Sequence, residues 1–158
     1  MAPGDVEASD RVAEHTLGTH RCFRVREDGY CFACGSENPI GLKLDFKLVD
    51  GRTEATFVPA REHQGFVGII HGGLIGLALD EAMAKLLCLQ DIEALTCEIT
   101  VRLCRAVTVG EALKLTACLV RERRRLLELQ AKAVSQDGKT VATARAKFLR
   151  VGACEING

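Results

Sequence analysis

The stretch from Gln64 to Leu89 contains residue types that can do carbonyl chemistry. It reads QGFVGIIHGG followed by LIGLALDEAMAKLLCL, so a glycine-rich loop turns at His71-Gly72-Gly73 into a predicted helix. Helix N-termini present backbone N–H groups that lack intrahelical partners, and glycine lets a substrate carbonyl approach them closely. The N–H of Gly72 is therefore the best predicted oxyanion donor, with Gly73 beside it. His71 can hold the loop or donate a second hydrogen bond.

A carboxylate pair, Asp80-Glu81, lies inside the same predicted helix. An ionised carboxylate in a core is costly unless it is hydrogen-bonded or faces a site. A carboxylate can attack a polarised carbonyl directly, or it can activate a water molecule for that attack. Asp80 follows His71 by nine residues, which at about 100° per residue places the two on nearly opposite sides of the helix. One subunit would struggle to present both groups to one carbonyl, so the spacing calls for a partner subunit.

The helix that carries these groups is predicted from Leu74 to Leu89. Apolar residues occupy every direction around its axis, and its charged residues are Asp80, Glu81 and Lys85. A helix that is apolar all round is buried. Sixteen residues with three charges are too short and too charged to span a bilayer. We therefore predict the central core helix of a soluble domain with a sheet wrapped about it, since a flat sheet on one side would leave the other side of the helix exposed to water.

Alternating apolar positions predict strands on both sides of the helix. Residues 42–49 and 52–58 flank Asp50-Gly51, which is a strong hairpin signal. After the helix, alternation returns over 95–107, 113–119 and 127–133, and Asp137-Gly138 turns the chain into 141–151. We interpret the chain as an α+β fold with a hairpin, a buried helix and then a three-strand antiparallel meander. The first alternation after the helix consists of Leu95, Cys97, Ile99, Val101 and Leu103.

Length, charge and cysteine content limit the function classes. The 158 residues suit one domain, which we predict at 22–152 between a flexible arm (1–21) and a tail (153–158). Lys plus Arg equals Asp plus Glu at 21 each, with no Trp and one Tyr, which argues against a nucleic-acid partner. We predict no membrane segment and no signal peptide. The eight scattered cysteines then favour a cytoplasmic protein with free, core-type thiols.

The pair Cys31-x-x-Cys34 invites comparison with a zinc site, for which His20 and Cys22 would complete four ligands. A structural zinc site usually shows two compact ligand pairs, and His20-x-Cys22 is tightly spaced. The segment CFACGSENPIGL is also rich in turn formers. We therefore predict a turn with buried thiols and no metal.

Several motifs together resemble a known family. With the order β-β-α-β-β-β they resemble the hot-dog fold, in which a curled antiparallel sheet wraps around a long central helix. More narrowly, they resemble the PaaI-like branch of the acyl-CoA thioesterases, over roughly residues 30–151. The motifs are Cys31-x-x-Cys34-Gly35, Asn38-Pro39-x-Gly41-Leu42, Gln64-Gly65-Phe66-x-Gly68, His71-Gly72-Gly73 and Asp80-Glu81.

The resemblance implies an activity and a site. Hot-dog thioesterases dimerise sheet edge to sheet edge, and each site combines the His-Gly-Gly loop of one subunit with the helix carboxylate of the other. Carried over, His71 and Gly72 polarise the thioester carbonyl, and Asp80 is the nucleophile or general base. Family members also use a hydroxyl, either four residues after the carboxylate, which is Ala84 here, or sixteen after it, which is Thr96. The implied protein is a homodimer or a dimer-of-dimers homotetramer that hydrolyses acyl-CoA without a cofactor or a metal.

Further residues are predicted to bind the substrate. Gln64 resembles a glutamine that lines the pocket in related enzymes. Arg124 and Arg125 lie at a predicted hairpin turn, and arginines suit the phosphates of CoA through bidentate contacts. The remaining predicted substrate-binding residues are Phe66, Gly73 and Met83.

Each role has a structural alternative. His71 could only cap the helix and pin the loop. Asp80 could be a structural carboxylate while Glu81 points to solvent. Thr96 could simply open a strand, and the arginine run could be a solvated tip. Two other functions also suit the fold: an acyl-CoA-binding module without turnover, and a hydratase or dehydratase, which the His-Gly-Gly loop disfavours.

Overall fold

The computed structural model describes residues 25–151. The arm predicted at 1–21 and the tail predicted at 153–158 lie outside the described residues, as do His20 and Cys22. The elements in chain order are β1 (Lys47–Val49), β2 (Arg52–Phe57), a short 3₁₀ helix (Arg61–His63), β3 (Gln64–Phe66), β4 (Ile69–Ile70), α1 (Gly72–Cys88), β5 (Ala94–Leu103), β6 (Leu113–Arg123), β7 (Leu126–Ser135) and β8 (Thr140–Arg150).

An antiparallel six-stranded sheet, in the order β1-β2-β6-β7-β8-β5, forms the body of the domain, and β3 and β4 form a separate small hairpin. Helix α1 packs against β2, β5, β6, β7 and β8. One helix in contact with nearly every strand requires a sheet that curves around it. The predicted α+β hot-dog fold is therefore confirmed.

Four long strands follow the helix, although a three-strand meander was predicted there. β6, β7 and β8 form that meander, but β5 does not continue it. After β5 the chain crosses the sheet, so that β5 pairs with β8 while β6 pairs with β2. Alternation along the sequence indicates strands but carries no information about which ladder a strand joins.

Helix α1 is fully buried only on the side that faces the sheet. Thr53 of β2, itself buried, donates its hydroxyl hydrogen to the carbonyl of Ala82 at 2.7 Å and ties the helix to the sheet. The opposite side, with Asp80, Glu81 and Lys85, is half-buried. The predicted burial on every side is therefore wrong for the single chain. The buried side chains of α1 are Ile75, Ala78, Leu79, Ala82, Met83, Leu86 and Leu87.

The hairpin predicted around Asp50-Gly51 is present, with positive φ at both turn residues. Its first strand is shorter than predicted, because only β1 pairs with β2 within residues 42–49. The alternation before β1 reflects burial of side chains in the core without strand pairing. The side chains concerned are Leu42, Leu44 and Phe46.

Strand β5 is an edge of the sheet and exposes large apolar side chains. Leu95, Ile99 and Leu103 are 44%, 39% and 50% exposed. An edge strand with unpaired backbone groups and apolar side chains is a ready surface for pairing with another strand. Within residues 25–151, no helix is both long enough and apolar enough to cross a membrane.

A β-bulge divides β5. Its register against β8 breaks between Thr96 and Glu98, which leaves Cys97 as the extra residue. Beyond the bulge, Val101 and Leu103 lie against glycines of α1. An extra residue moves the following side chains to the other face of a strand. The single alternation predicted from Leu95 to Leu103 is therefore interrupted, and even-numbered positions before Cys97 share a face with odd-numbered positions after it.

Candidate active site

The start of α1 is built by His71 and the two glycines that follow. His71 is the N-cap, and its Nδ1 accepts a hydrogen bond from the N–H of Gly73 at 2.9 Å. A ring nitrogen that accepts a hydrogen bond carries no proton, so the neutral imidazole has its N–H at Nε2. The capping role considered for His71 is therefore observed, and its Nε2–H remains a donor that can serve a second group.

The N–H of Gly72 has no hydrogen-bond acceptor among the described residues. This is the usual state of the first amide of a helix. The N–H of Gly73, in contrast, is occupied by His71. Leu103 of β5 lies directly beside this position, because a Cβ built on Gly72 would be 2.4 Å from Cδ1 of Leu103. Of the two predicted backbone donors, Gly72 is the one with its hydrogen available.

The small hairpin β3–β4, which was not predicted, supports this loop. Oε1 of Gln64 accepts a hydrogen bond from the N–H of Gly68 at 3.1 Å and so closes the turn between the two strands. Gly65 packs so closely that an added Cβ would be 3.2 Å from Cα of His71. Phe66 is 79% exposed beside the loop. The structure thus brings Gln64 and Phe66 next to His71, and it gives Gln64 a turn-stabilising bond.

Asp80 and Thr96 meet between α1 and β5. The hydroxyl of Thr96 donates to Oδ1 of Asp80 at 3.0 Å across 16 residues of sequence. Burial raises the pKa of the Asp80 carboxyl, and the hydrogen bond from Thr96 acts in the opposite direction. Thr96 thus faces the helix, as Val101 and Leu103 do beyond the bulge. Thr96 therefore holds a half-buried carboxylate in one orientation.

Glu81 does not point to solvent, contrary to the alternative considered from sequence. Its Oε2 accepts a hydrogen bond from the thiol of Cys31 at 3.6 Å. Residues four apart on a helix share a face, and Lys85 accordingly lies near Glu81 and forms an ion pair with Glu27. No sequence spacing links Cys31 or Glu27 to the helix, so these contacts could not be predicted.

The oxyanion loop and the carboxylate lie apart within one chain. Gly72 is beside Leu103, the last residue of β5, whereas Asp80 is bonded to Thr96 near the start of that strand. Asp80 follows Gly72 by eight helical residues, which at about 1.5 Å per residue gives an axial separation of about 12 Å. One carbonyl cannot contact both groups of the same chain.

The loop borders one cavity, and Thr96, the hydrogen-bond partner of Asp80, borders another. A cavity of about 490 Å³ opens beside Thr96, and its walls combine apolar side chains with the charged residues Arg26, Glu27, Glu81, Lys85, Asp91 and Glu93. A second cavity, of about 560 Å³, opens at the loop and includes Phe66, His71 and Gly72. Both volumes suit a small-molecule site. The apolar walls of the first cavity are Val25, Ala84, Ile92, Ala94, Leu95 and Phe148.

The remaining predicted residues lie away from these groups. Met83 is fully buried between α1 and the sheet, and it lines neither cavity. Arg124 and Arg125 form the tight turn between β6 and β7, as predicted. The guanidinium of Arg125 donates to the carbonyl of Arg150 at 3.1 Å. Arg124 is exposed with a positive φ of 57°. Their contact with a substrate stays a prediction.

Comparisons with known proteins agree with the fold. The sequence model of the thioesterase superfamily matches residues 67–142. A solved thioesterase superfamily protein has a TM-score of 0.70 at 23% identity, with 74% of this chain and 61% of that protein covered. A sequence comparison with curated proteins gives no significant match.

Two further solved structures have the same architecture. A hypothetical thioesterase from Streptococcus pneumoniae TIGR4, solved with coenzyme A, has a TM-score of 0.65 at 17% identity and covers 70% of this chain and 87% of its own. Escherichia coli PaaI has a TM-score of 0.65 at 24% identity, with 71% of this chain and 82% of PaaI covered. With the match over residues 67–142, these neighbours confirm the hot-dog fold of the chain and its expected resemblance to the hot-dog thioesterases, the PaaI-like branch included.

Proposed function

We propose that this protein hydrolyses acyl-CoA thioesters to a free acid and CoA, with Asp80 as nucleophile or general base and the N–H of Gly72 as oxyanion donor. The observation that carries the proposal is the 3.0 Å hydrogen bond from Thr96, which lines a cavity, to the half-buried Asp80. A half-buried carboxylate that is oriented by a hydroxyl is suited to attack or to proton removal.

The hydroxyl position has a parallel in the pneumococcal protein. Two further structures of that protein carry alanine in place of an aspartate and in place of a threonine sixteen positions later. Asp80 and Thr96 have the same spacing. The same relative was solved with coenzyme A. Both facts support a CoA thioester as the substrate class and Asp80 with Thr96 as a functional pair.

The complete site forms between two chains in this proposal. The free edge of β5 exposes Leu95, Ile99 and Leu103, and antiparallel pairing of two such edges would bring the start of one β5 next to the end of the other. Thr96 with Asp80 lies near the start, and Leu103 with Gly72 lies at the end. A two-fold dimer therefore places Asp80 of one chain near Gly72 of the partner subunit. Two such dimers can associate further into a tetramer.

The chemistry follows from these positions. The thioester carbonyl oxygen accepts hydrogen bonds from Gly72 N–H and from Nε2–H of His71, which stabilise the negative charge that develops on that oxygen. Either an Asp80 oxygen attacks the carbonyl carbon, or Asp80 removes a proton from the water that attacks. The tetrahedral intermediate then collapses, the C–S bond breaks, and the CoA thiolate leaves and is protonated. By the first route, water hydrolyses the acyl-aspartate anhydride.

The substrate parts can be assigned to the surfaces nearby. The acyl group would occupy the cavity of about 490 Å³ beside Thr96, against its apolar side chains. Phe66 and Gln64 border the approach to the loop. The CoA phosphates would lie against the exposed β6–β7 turn with Arg124 and Arg125, since guanidinium groups bind phosphate in a bidentate manner.

The testing experiment measures steady-state release of free thiol from short, medium, long and aromatic acyl-CoAs. Asp80→Ala should lower kcat by about a hundredfold or more. The control Asp45→Ala removes an exposed carboxylate that is distant in sequence from Asp80, and it should leave kcat unchanged. If the wild type binds acyl-CoA saturably but hydrolyses none of these substrates, the protein is an acyl-CoA-binding module and not a thioesterase.

A hybrid experiment tests the shared site. Chains with Asp80→Asn and chains with Gly72→Pro are unfolded together and refolded at equal amounts. Half of the dimers are then mixed, and each mixed dimer has one intact site, so about a quarter of wild-type activity should return. Activity that stays at the sum of the separate variants would show that each chain builds its own site.

A further inference from the structure

The turn with Cys31 and Cys34 is held in a fixed shape. The N–H of Gly35 donates to the carbonyl of Cys31 at 2.8 Å. A Cβ on Gly35 would be 2.3 Å from the carbonyl oxygen of Gly29 and 2.5 Å from the nitrogen of Cys31, so only glycine fits here. The backbone therefore keeps both thiols on one turn, and the side of α1 that the sheet leaves uncovered lies opposite them.

Glu81 supplies a third group at the same place. Its Oε2 is 3.6 Å from Sγ of Cys31, and Sγ of Cys31, Sγ of Cys34 and a carboxylate oxygen of Glu81 all lie within 4.8 Å of one another. All three residues are half-buried. The pair of cysteines alone predicted a turn without metal, because no compact second pair accompanied it. Glu81 is 50 residues from Cys31, and only the fold brings it there.

We propose that Cys31, Cys34 and Glu81 bind a thiophilic divalent cation of the Zn²⁺ type, with water or another donor as fourth ligand. Zinc bonds of about 2.3 Å to sulfur and about 2.0 Å to oxygen in a tetrahedral site put the two ligand atoms about 3.5 Å apart. The observed 3.6 Å between Cys31 and Glu81 matches that separation. Two thiolates select zinc over magnesium or calcium, which prefer oxygen ligands.

The charges around the site agree with a bound cation. Metal binding displaces the protons of cysteine thiols, so a dication would be held here by two thiolates and one carboxylate. The nearest cation, Lys85, is engaged in its ion pair with Glu27. A dication would compensate the half-buried Glu81 carboxylate, with which no basic side chain of residues 25–151 forms an ion pair.

The proposal goes beyond thioester hydrolysis and does not depend on it. Cys31 and Glu81 both line the cavity beside Thr96, and Glu81 is the residue next to Asp80. A cation at this place would tie the segment before β1 to α1 and so fix one wall of that cavity. Its role is to hold that wall in place, and the carbonyl chemistry remains with Asp80 and Gly72.

The test uses full-length, reduced, metal-free protein titrated with Co²⁺ and then with Zn²⁺. We expect one Co²⁺ per chain with a thiolate-to-cobalt charge-transfer absorption, displacement by Zn²⁺, and release of about two protons per Zn²⁺ from the two thiols. Cys34→Ser should abolish the absorption, and Glu81→Gln should weaken binding at least about tenfold. Cys88→Ser is the matched control, since Cys88 is a thiol on the same helix that contacts Glu27 and lies outside the cluster.

Equal Co²⁺ binding by the wild type and Cys34→Ser would overturn the proposal, as would the absence of a charge-transfer absorption in the wild type. If Cys34→Ser does not fold, the proposal is tested by the proton release of the wild type and by the Co²⁺ titration of Glu81→Gln. Binding without proton release, or with an affinity that Glu81→Gln leaves unchanged, would also overturn it. Acyl-CoA hydrolysis is measured separately, so a failure of one proposal is distinguishable from a failure of the other.

Discussion

Replacement of Gly72 by proline removes one backbone hydrogen and adds a ring whose Cβ meets the side chain of Leu103. Gly72 is the first residue of α1, a position where proline is favoured because that N–H has no helical partner and because φ is already suitable. The preceding residue, His71, has φ −64° and ψ 121°, which is the extended conformation that proline requires before it. The helix should therefore form unchanged without the N–H of Gly72.

The magnitude follows from the number of donors at the loop. The N–H of Gly73 is occupied by His71, so the carbonyl has Gly72 N–H and the Nε2–H of His71. Removal of one of two oxyanion donors should lower kcat by about a hundredfold, which corresponds to about 2.7 kcal/mol of transition-state stabilisation. Thiol release under saturating acyl-CoA measures kcat, and circular dichroism with thermal unfolding reports whether the fold is retained.

Gly72→Ala is the matched control. Both variants add a Cβ that would be 2.4 Å from Cδ1 of Leu103, so both displace the same flexible side-chain end. Only proline removes the N–H. Gly72→Ala should keep most of the activity, and the ratio of the two kcat values isolates the hydrogen bond. Equal kcat values for a folded Gly72→Pro and Gly72→Ala would refute the oxyanion role of this amide.

Three further predictions follow from single contacts. Thr96→Val removes the hydrogen bond that orients Asp80 and should lower kcat about tenfold. Thr96→Ser should restore kcat, and an unchanged kcat in Thr96→Val would show that the threonine has only a structural role. Thr53→Val removes the buried hydrogen bond to the carbonyl of Ala82 and should lower the free energy of unfolding by about 1 kcal/mol, with kcat/KM unchanged. Urea denaturation measures the free energy of unfolding, and a loss of activity without a loss of stability would contradict the prediction. The Arg105 side chain lowers the pKa of Glu111, so the stability that ionised Glu111 contributes is present above its unfolded-state pKa and is lost as the pH falls through its folded-state pKa. Glu111→Gln should therefore have a lower melting temperature than the wild type at neutral pH but not at acidic pH, and a difference that persists in acid would point to packing rather than charge.

The local features of the chain were predictable because local chemistry determines them. The start of α1 at His71-Gly72-Gly73 and the hairpin glycine at position 51 each depend on only a few neighbouring residues. The resemblance also indicated Thr96 as the hydroxyl partner of Asp80, and the structure contains that hydrogen bond.

Features that depend on distant parts of the chain were not predictable. The contact of Cys31 with Glu81 joins residues 50 positions apart, and no periodicity reports such a contact. The pairing of β5 with β8 follows from a crossover that alternation does not encode. The short hairpin β3–β4 consists of residues that are mostly exposed, so it has no burial pattern to detect.

The bulge at Cys97 lets both halves of β5 face α1, although even-numbered positions do so before it and odd-numbered positions after it. Because side-chain direction alternates along a strand, a one-residue insertion or deletion normally inverts everything beyond it. In β5 the extra residue, Cys97, already introduces one such inversion of side-chain direction. Removal of Cys97 would therefore turn either Thr96 away from Asp80 or Val101 and Leu103 away from α1.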